Sequence, residues 1–103
     1  MESYDIKLIK YGILFFYDSA TIKYNPSVVE ITKLNGGVVF SHAPSNIKKA
    51  NFNAKSGIFT LKTYAGQKVN IAFKGDFTFY EFEPVTKFRA YLKEQNIKGF
   101  AIH

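Results

Sequence analysis

The chain has 103 residues, with 14 basic side chains against 8 acidic ones and a formal charge of +6 at neutral pH. Apolar residues make up 47% and aromatic residues 17%, which excludes a disordered protein, and the length leaves too little material for two independent cores. The absence of cysteine excludes disulfides, cysteine-ligated zinc, iron–sulfur clusters and thiol catalysis. Because no repeat or linker interrupts the chain, we predict a single domain over residues 1–103.

The first 17 residues fit two kinds of element. Apolar residues alternate over positions 4–8 as in a strand, whereas the apolar spacing over positions 6–16 also fits one face of a helix. The β-branched and aromatic residues at 13–17 favour strands. We therefore expect residues 1–17 to be an N-terminal extension or extra strands, and the strand and helix alternatives both stay open.

Beyond residue 20, turn signals recur between short segments rich in β-branched and aromatic residues, which predicts antiparallel strands. The predicted strands are residues 20–24, 28–33, 38–42, 47–53, 58–63, 68–73 and 77–82. The Asn-Gly-Gly sequence at 35–37 tolerates positive φ and predicts a tight hairpin. Ile47 and Phe52 are five positions apart, so both face the core only if a bulge near Lys49 shifts the alternation.

After Pro84 the apolar spacing changes from two residues to that of a helix. Val85, Phe88 and Leu92 share one helical face, and Pro84 suits the first turn, where its missing N–H costs nothing. We predict one amphipathic helix over residues 84–95. The predicted fold is therefore mainly β: an antiparallel meander of about seven strands, bent into a partly open barrel or sandwich and capped by this helix.

This order of elements, over residues 20–97, resembles the pleckstrin-homology-like (PH-like) superfold in its small bacterial or GRAM-like form. The resemblance is carried by residues 28–32, 36–40, 47–52, 57–63 and 66–73 and by the closing helix. It implies binding of phosphoinositides, extended peptides or other proteins. Members that bind phosphoinositides carry a basic cluster on the first two strands and the loop between them. Residues 20–33 offer only Lys23 and Lys33 there, so most of that cluster is missing.

The net positive charge favours anionic partners, although no block of like charge appears and Lys48-Lys49 is the only pair of adjacent basic residues. If the predicted meander holds, three loops meet at one end of the sheet and form a lysine-rich loop end. Its candidate residues for binding an anionic headgroup are Lys23, Asn25, Ser45, Asn46, Lys48 and Lys74. The alternative is that these lysines are scattered and only solvate the surface.

A second candidate surface is the groove between the predicted helix and its neighbouring edge strand. An extended peptide adds a strand at such an edge through main-chain hydrogen bonds. The groove would involve residues 47–53 or 58–63, together with the side of the helix that carries Arg89 and Lys93.

Catalytic residues are sparse in this sequence. His42 ends a predicted strand, and its neighbour Ser41 points to the opposite face, so the two do not form a dyad. The sequence has two histidines, His42 and His103, and no third ligand at metal-binding spacing accompanies them. Glu81 and Glu83 flank the helix start, where Glu83 favours the helix N-terminus. We predict no enzymatic activity, no metal and no cofactor.

The sequence therefore predicts a non-enzymatic binding or adaptor module that contacts a protein or peptide partner. Weak binding to anionic membrane lipids and a structural, oligomer-forming role are the alternatives. A single arginine and the absence of an aromatic RNA-binding strand argue against nucleic acid as a partner. The first residues lack a signal peptide, and no apolar run reaches 18 residues, so we expect a cytoplasmic protein, with peripheral membrane contact as a variant.

Overall fold

The structure, a computed structural model, describes residues 1–11, 16–74 and 83–102, and of Ile102 only the backbone. Its strands are β1 (Glu2–Ile9), β2 (Tyr17–Asn25), β3 (Val28–Lys33), β4 (Val38–His42), β5 (Ile47–Asn53), β6 (Ile58–Thr63), β7 (Lys68–Phe73) and β8 (Ala101–Ile102). A short 3-10 helix, Pro44–Asn46, connects β4 to β5, and helix α1 spans Glu83–Glu94.

The strands form one sheet in the order β4-β3-β2-β1-β7-β6-β5-β8. Two antiparallel meanders, β1–β4 and β5–β7, are joined where Ile6 of β1 faces Phe73 of β7. Strand β8 runs parallel to β5 at the sheet edge. The sheet curls into a half-barrel, so that the Gln67 side-chain amide in the β6–β7 turn donates a 2.8 Å hydrogen bond to the Val39 carbonyl of β4.

The concave face of the half-barrel holds the core, and α1 covers it. The largest fully buried side chains include Phe40, Phe59, Phe73, Phe88, Ile6, Ile22, Ile31, Leu61 and Ile71. Phe88 is the buried centre of the helix, and its ring centroid lies 5.1–5.6 Å from the rings of Tyr24, Phe59 and Phe73. Because these rings come from β2, β6 and β7, the single helix ties both meanders together.

The predicted mainly β fold with a C-terminal helix is confirmed. Five predicted strands match the observed bounds, from β3 to β7, and α1 is displaced by one residue from the predicted range. The pairing register shifts between Ile47 and Lys49, as the predicted bulge requires, so that Ile47 is buried and Phe52 packs partly buried against the core. In the predicted hairpin, Gly36 has a φ of 91° and the Asn35 side-chain oxygen accepts a hydrogen bond from the Gly37 N–H.

The N-terminal residues form a strand, not a helix. β1 lies in the middle of the sheet, paired with β2 on one side and β7 on the other, so it is part of the half-barrel. The strand predicted over residues 77–82 lies outside the described residues, and β1 supplies the seventh antiparallel strand instead. Of the helices the structure describes, none has the length and apolar character needed to cross a bilayer.

Candidate functional site

Two lysines of the predicted lysine-rich loop end, Lys48 and Lys74, lie apart in the structure. Lys48 lies at the start of β5, next to Lys49, which faces Lys62 near the end of β6. Lys74 directly follows β7, whose last residues pair with the first residues of β6. Strands of this length separate the two ends by about 17–20 Å. The prediction placed three loops of the meander at one end, whereas β5–β7 carries Lys48 and Lys74 at opposite ends.

The other residues of that predicted site serve local structure. The Asn25 side-chain oxygen accepts hydrogen bonds from the N–H groups of Ser27 and Val28, which closes the β2–β3 turn. Asn46 lies in the 3-10 helix with Ser45, and its carbonyl accepts a hydrogen bond from the Tyr64 N–H. Lys23 is exposed on β2, opposite Glu30 of β3. These residues therefore do not converge with Lys48 on one ligand.

A groove of about 340 Å³ lies between α1, β5, β6 and the segment that follows the helix. The rings of Phe52 and Phe59 form part of its apolar lining, with centroids 4.5 Å apart, and Leu92 lines it from the helix. Both helix residues named from the sequence line this groove: Arg89, whose guanidinium carbon lies 5.1 Å from the Phe52 ring centroid, and Lys93.

The chain's own C-terminal segment, residues 98–102, lies along the edge of β5 beside this groove. The Ala50 N–H donates to the Lys98 carbonyl and the Phe52 N–H donates to the Phe100 carbonyl, both at 2.8 Å. A third hydrogen bond, from the Phe100 N–H to the Asn51 side-chain oxygen, is also 2.8 Å long. This segment therefore pairs with the edge of β5 in the way an added strand would.

Gly99 permits this close approach. A Cβ at Gly99 would overlap with the carbonyl oxygen of Ala50, so any larger residue would push the segment away from β5. Sequence reasoning missed the strand after α1. The signal that was available is the alternation of Gly99 with the apolar residues Phe100 and Ile102, but two residues of β8 are too few for a periodic pattern.

The two tyrosines below α1 differ in their hydrogen bonding. Tyr91 donates a 2.8 Å hydrogen bond from its hydroxyl to the Asn25 carbonyl, and burial raises its pKa to about 12. The Tyr24 hydroxyl is buried and has no hydrogen-bond partner among the described residues, and burial raises its pKa above the ordinary value. Both phenols are therefore neutral at physiological pH.

Ion pairs fix the start of the helix. Lys87 lies 2.8 Å from a carboxylate oxygen of Glu83, one turn earlier, and 3.4 Å from Glu2 of β1. Hydrogen bonding to these two carboxylates raises the Lys87 pKa, and Lys87 in turn lowers the pKa of Glu83. Glu83 is the first residue of α1, at the position where an acidic side chain favours the helix dipole. Glu81 lies outside the described residues.

The side chain of His42 contacts Gln67 and Phe40. Its Nε2 lies 2.7 Å from the Gln67 side-chain oxygen, and its ring packs against Phe40. Because the amide nitrogen of Gln67 donates to the Val39 carbonyl, its oxygen faces His42, and His42 Nε2 is the donor. Across residues 1–11, 16–74 and 83–102, no three acidic or histidine side chains come together as a metal site would require.

No family model matches the sequence, and a search of curated proteins found no similar sequence. Among solved structures, this chain is similar to the C-terminal domain of an unknown protein from Leishmania infantum. The TM-score is 0.63 at 11% sequence identity, and the match covers 92% of this chain and 81% of that one. At this level of identity the likeness shows the fold alone, a small curled antiparallel sheet.

Proposed function

We propose that this chain is a non-enzymatic, PH-like binding module that takes an extended segment of a partner protein at the edge of β5. The observation that carries this proposal is the pairing of residues 98–102 with β5 beside the apolar groove. That pairing demonstrates an edge whose N–H groups, at Ala50 and Phe52, are directed at an added strand. A partner segment would replace residues 98–102 there.

The chemistry of the groove defines the partner. Aromatic and aliphatic side chains line it, while Arg89 and Lys93 of the helix place two cations along it. An extended segment that alternates apolar and acidic side chains satisfies both features. The succession of β3–β7 and the closing helix supports the PH-like assignment, because the resemblance seen in the sequence rests mainly on these elements.

The resident segment is held weakly enough to exchange. The main-chain bonds of the β5–β8 pairing and the hydrogen bond from Phe100 to Asn51 attach it, each worth about 0.5–1.5 kcal/mol net, but Phe100 is 74% exposed and so adds little buried area. Ordering the residues between α1 and β8 offsets part of that gain. A partner segment with an apolar side chain that enters the groove would therefore compete well.

The test uses the full-length Gly99→Val variant, in which the added side chain overlaps with Ala50 and displaces residues 98–102. A synthetic peptide covering residues 96–103 then serves as the probe. We expect saturable NMR shifts of the Ala50 and Phe52 amides when this peptide is added to the variant, and weaker binding to the wild-type chain.

The matched control is the same peptide carrying Gly99→Val, which has the same charge and length but cannot approach β5. It should not bind. Equal binding of the two peptides, or shifts that map away from β5 and α1, would overturn the proposal.

A further inference from the structure

Charge is divided unequally between the two meanders. Residues 31–75 contain no aspartate or glutamate, and they contain seven lysines: Lys33, Lys48, Lys49, Lys55, Lys62, Lys68 and Lys74. Six of these belong to β5–β7 or their turns. The layer formed by β5–β7 is therefore strongly cationic, although its lysines are too widely spaced along the sequence to form a block of like charge.

The sheet register places lysines directly opposite one another across neighbouring strands. Lys68 of β7 faces Lys62 of β6, Lys62 faces Lys49 of β5, and Lys49 bridges to Lys98. Because Ala50 and Leu61, the chain neighbours of Lys49 and Lys62, are buried, the lysines lie on the outer face. We call Lys68, Lys62, Lys49 and Lys98 the lysine row.

Repulsion between the lysines of the row destabilises the folded state. Like charges directly opposite each other on neighbouring strands are destabilising. Within the described part of the chain, the ion pairs join other residues, namely Lys10 and Lys33 with Asp18 and Lys87 with Glu2 and Glu83. An anion along the row would remove the repulsion. Three gaps of about 4.8 Å give the row a span of about 14 Å.

A second register row, beside the lysines, presents hydrogen-bond donors. Asn51, Thr60 and Asn70 face one another across β5–β7, and a concavity of about 360 Å³ runs over them and over Asn53. The oxygen of each of the three asparagines already accepts a hydrogen bond: from the Phe100 N–H at Asn51, the Lys55 N–H at Asn53 and the Thr60 hydroxyl at Asn70. Their NH₂ groups make no hydrogen bond with another described residue and are available as donors beside the concavity.

We propose that the lysine row and the adjoining asparagine concavity bind a single strand of nucleic acid. The surface presents a row of cations beside a row of N–H donors. A single strand presents a line of phosphates beside a line of bases that carry hydrogen-bond acceptors. About four stacked nucleotides, at 3.4 Å each, match the length of the row. Two exposed aromatic side chains flank the row, Tyr64 in the β6–β7 turn and Phe100 beside β5, and exposed rings are the platforms on which the bases of a single strand stack.

This partner differs from the expectation drawn from the sequence, which argued against nucleic acid. Lys49, Lys62 and Lys68 are also separate from the proposed peptide groove, because they lie on the outer face of the sheet and α1 packs on the inner face. Lys98 alone lies on the segment that a partner would replace. The two proposals can still fail independently, because the variants that test the row change Lys62 and Lys68, which do not line the groove.

The experiment measures fluorescence anisotropy of a labelled, mixed-sequence DNA single strand of about 12 nucleotides with the full chain. Four phosphate contacts predict a slope of about −2.8 for log K against log salt, or an affinity loss of about 50-fold between 50 and 200 mM. The Lys62→Gln/Lys68→Gln double variant should bind on the order of tenfold more weakly at 50 mM, with a slope near about −1.4.

The control is Lys23→Gln/Lys33→Gln, which lowers the net charge equally but changes β2 and β3. It should keep the wild-type slope. Failure of the wild-type chain to bind at 50 mM salt, or an equal loss in both double variants, would overturn the proposal. Binding to phosphatidylserine-containing vesicles that depends on the lysine row, without binding to the oligonucleotide, would also overturn it in favour of a membrane surface.

Discussion

Lys62 is the residue at which the cross-strand charge argument is tested most directly, because it has a lysine on both sides. Lys62→Glu turns two like-charge pairs, with Lys49 and Lys68, into two opposite-charge pairs. Each repulsion removed and each attraction gained is worth roughly 0.2–1 kcal/mol. Four contributions near the low end sum to about 1 kcal/mol, which should raise Tm by about 4–8 °C.

Thermal unfolding followed by circular dichroism at low salt and at about 1 M salt is the assay. At 1 M the Debye length falls to about 3 Å, so most of the gain should disappear. Lys55→Glu is the matched control, since it changes net charge equally but lies in the β5–β6 turn, outside the lysine row. If both variants raise Tm equally, or if the Lys62→Glu gain persists at high salt, the stabilisation does not come from cross-strand pairing and the reasoning is refuted.

Three further predictions concern the packing below α1. Tyr24→Phe removes a hydroxyl without a described partner and should raise the free energy of unfolding by up to about 1 kcal/mol. Tyr91→Phe loses the hydrogen bond to Asn25 and should lower the free energy of unfolding by about 1 kcal/mol. Equal effects of the two substitutions in urea unfolding would contradict this difference in hydrogen bonding. The pKa of Tyr91 is about 10 in the unfolded chain and about 12 in the folded one, so the unfolded state binds fewer protons between these values. The free energy of unfolding should therefore fall as pH rises from 10 to 12, and the fall should be smaller in Tyr91→Phe. Phe88→Ala should cost about 3–5 kcal/mol in urea unfolding, and a loss below about 1 kcal/mol would show that Phe88 is not the centre of the core.

The strands were predictable because each follows from a local rule. Alternating burial over Val28–Lys33, for example, needs only that one face of a strand is buried and the other is not. The Asn-Gly-Gly turn at 35–37 depends on backbone conformation within three residues, and the helix depends on a change of apolar period after Pro84. Arg89 and Lys93 could be assigned to the groove because a short helix that packs by its apolar stripe leaves one flank beside the sheet edge.

The relative placement of the loop-end residues could not be predicted from the sequence, for the opposite reason. Whether Lys48 and Lys74 meet depends on which strands pair and in which direction, and neither is encoded within a few residues. The position of β1 between β2 and β7 is equally non-local, and its alternating residues look the same in a central strand and an edge strand.

The sequence by itself determined strands β3–β7 and helix α1, since hydrophobic period, turn residues and the proline at the helix start act over a few positions, whereas it left β1 open and missed β8. Only the tertiary structure decided what the surface presents. Strand register aligned Lys49, Lys62 and Lys68, which are far apart in the chain, and the curl of the sheet brought residues 98–102 onto β5. Contacts between distant residues depend on the lowest free energy of the whole packed chain, so both candidate surfaces emerge only when the sheet has closed around its core.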